Sequence, residues 1–221
     1  MTEQVENREL LGKDPAVEML ASLERNAAGV VNRPWCQVVK EIMQATGAII
    51  RDNAALAVDE QSKMFLLPTS AFALAVYRVL SGIIGDRDRV IDILARSVAG
   101  QMSAEAYVAR RYGVTQDAPE QAFEMCRVNF KRIGEEQYGR SFLFDQDISG
   151  DTDFCISVRK CYWKDFLSAN GAIELLLPVS CMQDEMWIEE LNKPKYRMTV
   201  RRSPTMAQGN DACRVYFSKR K

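Results

Sequence analysis

The sequence contains no histidine. This absence excludes Ser-His-Asp and Cys-His catalysis within the chain, and it excludes every metal site that depends on imidazole ligands. General acid–base chemistry must then be carried by cysteine, aspartate, glutamate, tyrosine or lysine. A nucleophile or a proton shuttle is therefore to be sought among the thiols and carboxylates.

Several other common signatures are also missing. The sequence has no Cys-x-x-Cys pair, which structural zinc sites usually contain, no glycine-rich phosphate loop and no internal repeat. With 29 Lys and Arg against 30 Asp and Glu, the formal net charge is −1, so no strong attraction to nucleic acid is expected. We predict no metal, no cofactor and no nucleic-acid partner.

Secretory and membrane features are weak. The residues after the initial Met are Thr, Glu and Gln rather than a basic and then an apolar run, so no secretory signal is predicted. The most apolar stretch, residues 64–84, is interrupted by Pro68 and Arg78, which favours a buried helix over a membrane span. Six cysteines without a signal indicate reduced thiols, and we expect a cytoplasmic protein with no membrane partner.

The order of the helical and strand patterns predicts an α+β fold. An apolar content of 47% in 221 residues fits one soluble domain, which we place at residues 14–221 after a flexible tail over 1–13. Apolar positions recur at helical spacing through residues 14–133, whereas alternating patterns appear in residues 134–221. Helices followed by strands favour a helical N-terminal half packed on a C-terminal antiparallel sheet.

Capping signals predict five helices in the first half. Their expected starts are Asp14 before Pro15, Pro34, Thr69 or Ser70, Asp86, and a capping box at Asp117 and Glu120. In the second half, strands are predicted at Ser141–Asp145, from Phe154 to Cys161, at Tyr196–Arg202 and at Ala212–Phe217. Short helices are expected between them, at Trp163–Ala169 and Asp184–Leu191.

Cys181 and Asp184 form the most specific local pair of the sequence. Cys181 precedes a predicted helix, whose dipole and free amide groups would favour a thiolate. Asp184 opposes a thiolate electrostatically, but it could accept the thiol proton or orient a water. The alternative interpretation is that Asp184 caps the helix and Cys181 is a small buried apolar residue.

Arginines near the last predicted strands could hold an anionic substrate. Arg197, Arg201 and Arg202 lie in a strand expected to neighbour Cys213, and a guanidinium binds a carboxylate through two parallel hydrogen bonds. Arg159 is expected to share a strand face with two thiols. A solvated strand face is the expected fate of at least two of the three arginines Arg197, Arg201 and Arg202.

The second part of the chain resembles the L-2-amino-thiazoline-4-carboxylic acid hydrolase family. The resemblance extends over roughly residues 60–221 and is most specific over 154–217. It rests on the motifs Cys161-Tyr162, Cys181-x-x-Asp184, Arg202-Ser203-x-Thr205 and Gly209-x-x-x-Cys213-x-Val215-x-Phe217. Two positions depart from the family pattern: Arg214 stands where an acidic residue is expected, and Ser203 where Thr is commoner.

This resemblance implies hydrolysis of a C–S or C–N bond in a small cyclic substrate derived from an amino acid, as when a thiazoline ring opens to a carbamoyl-cysteine. The ring carbon between sulfur and nitrogen is an amidine-like electrophile, which a thiolate or water can attack. We choose Cys181 as the nucleophile, with water activated by Asp184 as the alternative. The candidate catalytic residues are Cys181, Asp184, Cys161 and Cys213, and the candidate substrate-binding residues are Arg202, Arg159, Thr205 and Tyr162.

A second functional class stays open at this point, a non-catalytic binding domain with a cysteine-lined pocket. In both cases the predicted partner is a small molecule, and a second copy of the chain in a homo-oligomer is the other candidate partner. We predict that Cys161, Cys181 and Cys213 line one cavity near Asp184. The remaining thiols of the first half, at positions 36 and 126, are expected in helix packing.

Overall fold

The structure is a computed structural model that describes residues 15–99, 103–115 and 117–220. The predicted tail over 1–13 and the predicted cap Asp14 lie outside the described residues. The described part contains eight α-helices, six of them before the first strand, and one four-stranded antiparallel sheet near the C-terminus. The predicted α+β class is confirmed.

The first six helices lie where apolar residues recur at helical spacing. They are α1 (Pro15–Ala27), α2 (Trp35–Asp52), α3 (Leu67–Ile84), α4 (Arg87–Ala99), α5 (Ala104–Tyr112) and α6 (Ala122–Tyr138). Pro34 immediately precedes α2 as predicted. Asp86 caps α4, because its carboxylate accepts a hydrogen bond from the Arg89 amide at 3.0 Å.

Two predicted helix starts are wrong. Thr69 and Ser70 lie inside a helix, because the chain is already helical through a π-helical turn at Ser62–Leu66 that continues into α3. Asp59 supplies the cap instead, accepting a hydrogen bond from the Ser62 amide at 2.9 Å. The predicted capping box at residues 117–120 is also wrong, since a 3-10 turn, Pro119–Gln121, leads into α6 without a side-chain cap.

The most apolar stretch of the chain was predicted to be a buried helix and not a membrane span. The run Ser62–Ile84 is long and apolar enough to cross a membrane by length and composition, but half of its most apolar window is buried inside the protein. Leu66, Leu74 and Leu80 are fully buried against neighbouring helices. This burial is what a core helix requires, and the cytoplasmic location stays a prediction.

The sheet and its connections form the second half. The strands are β1 (Leu143–Ser149), β2 (Asp153–Lys160), β3 (Met198–Arg202) and β4 (Cys213–Lys219), in the order β1-β2-β4-β3 with all neighbours antiparallel. Between β2 and β3 lie α7 (Tyr162–Ala169), a 3-10 turn (Ile173–Leu175), a π-helical turn (Leu176–Cys181) and α8 (Gln183–Leu191). β1 extends past the predicted end at Asp145, and it returns into β2 through a tight turn in which the Gly150 amide donates to the Asp153 carbonyl at 2.8 Å.

The buried side chains form two clusters. The first, called here the helical core, joins α1 to α4 with α7 and the turns after it, around residues such as Leu23 and Phe166. The second, the sheet core, packs α5, α6 and α8 against the sheet around Trp187 and Phe217. Each fully buried side chain of this size contributes roughly 2–3 kcal/mol. Tyr138 contacts both cores, so it marks where they meet.

Tyr138 is held there by the end of its helix. It is the last residue of α6, and the following Gly139 has φ 56° and ψ −146°, a conformation that side chains with a Cβ rarely adopt. A Cβ at this position would also lie 2.8 Å from the Asp59 carboxyl carbon. Glycine therefore lets the chain turn sharply from α6 toward β1 at the junction of the two cores.

Candidate functional site

A cavity of about 380 Å³ lies where the helical core and the sheet core meet. Its lining is mostly apolar and aromatic, with side chains from both cores, and this size suits a small molecule. Three charged residues line it among those the structure describes: Arg111, Asp184 and Arg202. A more open depression of about 600 Å³ near Asp59 and Lys160 has no cysteine in its lining, so the chemistry of interest lies in the enclosed cavity.

The three predicted thiols all line this cavity. Cys213 is the first residue of β4, and Cys181 ends the π-helical turn just before α8. Cys161 was predicted on a strand, but it lies one residue past β2, at the N-terminal cap of α7. With Asp184 and Arg202, these residues are called here the thiol–carboxylate cluster.

Asp184 is held by two hydrogen bonds. The Trp187 indole Nε1 donates to its Oδ1 at 2.9 Å, and Arg202 Nη1 donates to its Oδ2 at 3.2 Å. Arg202 Nη1 also donates to the Cys181 carbonyl at 2.6 Å, and its Nη2 pairs with Glu185. The Arg202 side chain is only 8% exposed. Arg202 therefore fixes the positions of Asp184 and Cys181, and its charge is already compensated.

Burial dominates the protonation of the thiols. It raises the pKa of Cys181 to about 11, with the charge of Asp184 acting in the same direction and Arg202 and the Thr205 hydroxyl opposing it. It raises the pKa of Cys161 to about 12 and also raises the pKa of Cys213. The expected thiolate at Cys181 is therefore not favoured in the free protein, because burial outweighs the nearby helix start.

The pKa of Asp184 is raised, which suits acid–base chemistry. Burial raises the pKa of its carboxyl, while the hydrogen bonds from Trp187 and Arg202 act in the opposite direction. Its side chain is nevertheless 45% exposed, since it faces the cavity. A carboxyl with a raised pKa in a cavity is a candidate general base or acid.

The model of the L-2-amino-thiazoline-4-carboxylic acid hydrolase family matches residues 64–217, which is most of the chain and includes the whole thiol–carboxylate cluster. The chain belongs to this family. No curated protein and no solved structure matches it.

Of the substrate-binding residues predicted for this hydrolase family member, only Arg202 lines the cavity. Thr205 is buried outside the cavity lining, and its side chain hydrogen-bonds with Cys181. Tyr162 is buried in the helical core, where it stacks on Phe166. Arg159 is exposed and pairs with Asp145 at 2.6 Å, because strand alternation turns it away from the cavity face of β2.

The remaining arginines of the predicted substrate-binding strand also lie elsewhere. Arg197 precedes β3 with φ 49°, and Arg201 is exposed on β3. Neither lines the cavity. At least two of these three arginines were expected on a solvated strand face, and Arg197 and Arg201 are indeed exposed. Of the three, Arg202 alone lines the cavity.

Sequence reasoning missed a second group of cavity residues: Tyr107 and Arg111 of α5 and Tyr138 of α6, called here the Arg111 cluster. The guanidinium carbon of Arg111 lies 4.9 Å from the centre of the Tyr138 ring, and Nη1 donates to the Gln137 side chain. Burial raises the pKa values of Tyr107 and Tyr138, so both phenols keep their protons and can donate hydrogen bonds.

A capping signal could have revealed the helix that carries this cluster. Ser103 accepts a hydrogen bond from the Ala106 amide at 3.2 Å, and Gly113 ends α5 in the left-handed conformation. A polar cap and a glycine ten residues later are readable from the sequence alone.

The part of the chain that the structure describes holds no group of three or more cysteines and carboxylates placed to coordinate a metal ion. The cavity thiols are arranged around Asp184 and Arg202, and they lie among aromatic side chains. The chemistry that this arrangement can perform is proton transfer at Asp184 and, through it, activation of water or of a thiol.

Proposed function

We propose that this hydrolase family member opens a small cyclic substrate derived from an amino acid by breaking a C–S or C–N bond, as its family's name describes for L-2-amino-thiazoline-4-carboxylic acid. One observation carries the proposal. Asp184, a carboxyl with a raised pKa, faces a cavity of about 380 Å³ and is oriented by Trp187 and Arg202.

In the proposed reaction, Asp184 removes a proton from a water that adds to the ring carbon between sulfur and nitrogen. The bond from this carbon to the ring sulfur then breaks while the added hydroxyl becomes a carbonyl and its proton passes to the ring nitrogen, and Asp184 returns the first proton to the leaving sulfur. The product of 2-amino-thiazoline-4-carboxylate is N-carbamoyl-cysteine, which equals the substrate plus one water. Breaking the ring C–N bond instead would leave the carbamoyl group on sulfur.

Water is the nucleophile that we favour over Cys181. A thiol whose pKa is about 11 keeps its proton at neutral pH, so it could attack only while Asp184 removes that proton. Both routes depend on Asp184, and Arg202 serves each of them by fixing Asp184 and the Cys181 carbonyl. Cys161 and Cys213 shape the cavity in either route.

The test is to incubate the purified protein with L-2-amino-thiazoline-4-carboxylate and to follow free thiol and carbamoyl products by chromatography. One new thiol per ring opened indicates C–S cleavage, whereas a carbamoyl product without new thiol indicates C–N cleavage. The Asp184→Asn variant should be inactive, and Cys126→Ala should be active. If a folded wild-type protein binds thiazolines, cyclic amidines or lactams in calorimetry and converts none of them, the protein is a binding domain and the proposal fails.

A further inference from the structure

The two arginines that line the cavity differ in their partners. Among the described residues, Asp184 and Arg202 pair with each other, and Arg202 also pairs with Glu185 just outside the lining. Arg111 makes no ion pair with a carboxylate in the part of the chain that the structure describes. Its contacts are the neutral side-chain amide of Gln137 and the face of the Tyr138 ring.

We propose that Arg111 binds a carboxylate of the substrate, so that the cavity selects small anionic molecules derived from amino acids; this inference rests on the function proposed above. A guanidinium offers two parallel N–H groups that match the two oxygens of a carboxylate. The mostly apolar and aromatic lining strengthens this attraction relative to water.

Arg202, which was predicted for this role, is poorly suited to it. Its side chain is 8% exposed, and its terminal nitrogens already contact Asp184, Glu185 and the Cys181 carbonyl. A substrate carboxylate would have to displace one of these acceptors and would meet two carboxylates nearby. Arg111 would exchange only the neutral amide of Gln137 for an anion, which is a net electrostatic gain.

The surroundings of Arg111 also suit a defined binding geometry. The Tyr138 ring lies against the guanidinium, which stabilises the cation and restricts its plane. Tyr107, Tyr138 and Arg111 line the same cavity as Asp184. A small ring held by its carboxylate at Arg111 therefore lies in the same confined space as the carboxyl that would activate water.

The experiment compares two substrates and two neighbouring arginines. The substrates are 2-amino-thiazoline-4-carboxylate and 2-amino-thiazoline without the carboxylate. Arg111→Gln should lower kcat/KM for the carboxylate about 10–100-fold, mainly through KM, and should leave kcat/KM for the substrate without the carboxylate nearly unchanged. Arg111→Lys should recover part of the loss. Arg110→Gln is the control, since Arg110 is the exposed neighbour on α5 outside the cavity lining.

An equal loss for both substrates would overturn the proposal, because it would show a structural or catalytic role. An unchanged kcat/KM for the carboxylate would overturn it as well. Circular dichroism and urea midpoints of each variant verify that the compared proteins are folded.

Failure of the proposed reaction can be separated from failure of this inference by calorimetry. If wild-type protein turns over no thiazoline, the binding of thiazoline, thiazolidine and proline carboxylates is compared with that of their amides. Binding of carboxylates over amides that disappears in Arg111→Gln supports the anion site although the reaction is wrong. Equal binding of acids and amides, or no binding of any of these acids at millimolar concentration, rejects it.

Discussion

The two groups on the cavity wall differ in how their charges are used. In the thiol–carboxylate cluster, Arg202 contacts Asp184, Glu185 and the Cys181 carbonyl, so its polar groups hold one another in place. In the Arg111 cluster, the cation contacts only a neutral amide and an aromatic ring among the described residues. The first arrangement is suited to precise placement of a reacting group, and the second is suited to receiving a charge from outside.

The two groups also come from different parts of the chain. The thiol–carboxylate cluster lies on elements that follow β2, whereas the Arg111 cluster lies on α5 and α6 before the sheet. The contacts of α5 and α6 with α8 and the sheet in the sheet core bring them to one cavity. Under the proposed function, separate segments of the chain would supply the reacting groups and the recognition of the substrate.

Asp184→Asn is expected to have the largest effect. We expect kcat to fall about 10²–10⁴-fold for substrates with and without a carboxylate, with KM little changed, because a proton-transfer group is lost. In the wild type, kcat/KM should fall on acidification through the raised pKa of Asp184, since the base must be ionised. Steady-state kinetics against pH measure both.

The direction in which Asp184→Asn changes the stability of the fold follows from the raised pKa of Asp184. A carboxyl whose pKa is raised in the folded state contributes stability below its unfolded pKa, and that contribution is lost as pH rises through the folded pKa. Asp184→Asn should therefore be at least as stable as the wild type at neutral pH. Glu185→Gln is the control, since Glu185 shares Arg202 but lies outside the cavity lining, and it should retain most activity. A fully active Asp184→Asn would remove the acid–base role.

The second-largest effect is expected in the pH dependence of the alkylation of Cys181. Because its pKa is about 11, the rate of its alkylation should rise about tenfold per pH unit between pH 7 and pH 10. Mass spectrometry of peptides after timed iodoacetamide treatment measures each thiol separately, with the exposed Cys36 as the internal reference for access. Fast labelling of Cys181 that does not depend on pH near 7 would restore the thiolate mechanism.

Much of the fold was readable from the sequence. Apolar residues at helical spacing and alternation after Gly134 predicted an α+β chain, because these periods follow directly from helix and strand geometry. The placement of three distant cysteines in one lining was predicted by family resemblance, and the structure places all three there. The roles of these cysteines stay predictions.

The helix α5 has nine residues, of which only Val108 and Tyr112 are buried, so its apolar period is faint and only its cap residues could have revealed it. Other features depend on packing and could not be read from the sequence. Which arginine pairs with a carboxylate is decided by tertiary contacts that no spacing encodes. The depth of burial that raises the pKa of Cys181 likewise arises from elements distant in sequence.

The two cavity arginines should differ in their contribution to stability. Arg202→Gln should lower the free energy of unfolding by about 1–3 kcal/mol, because Asp184, Glu185 and the Cys181 carbonyl each lose a charged donor. Arg111→Gln should change it by less than about 0.5 kcal/mol, since no described carboxylate depends on it. Urea unfolding measures both. Equal losses would show that Arg111 is a structural residue, and the comparison between the two groups would fail.

The smallest effect is expected at a thiol outside the cavity. Cys126 is fully buried on α6 in the sheet core, so Cys126→Ala should leave a small void and lower the free energy of unfolding by about 1 kcal/mol. Its kcat and KM should equal those of the wild type, because Cys126 does not line the cavity. Cys36 was predicted in helix packing, which is wrong, since this thiol is exposed. Cys36→Ala is therefore the control and should change neither stability nor activity. Loss of activity in Cys126→Ala without a change in stability would mean that a substitution in the sheet core alters the catalytic site. The distinction between packing thiols and cavity thiols would then be wrong.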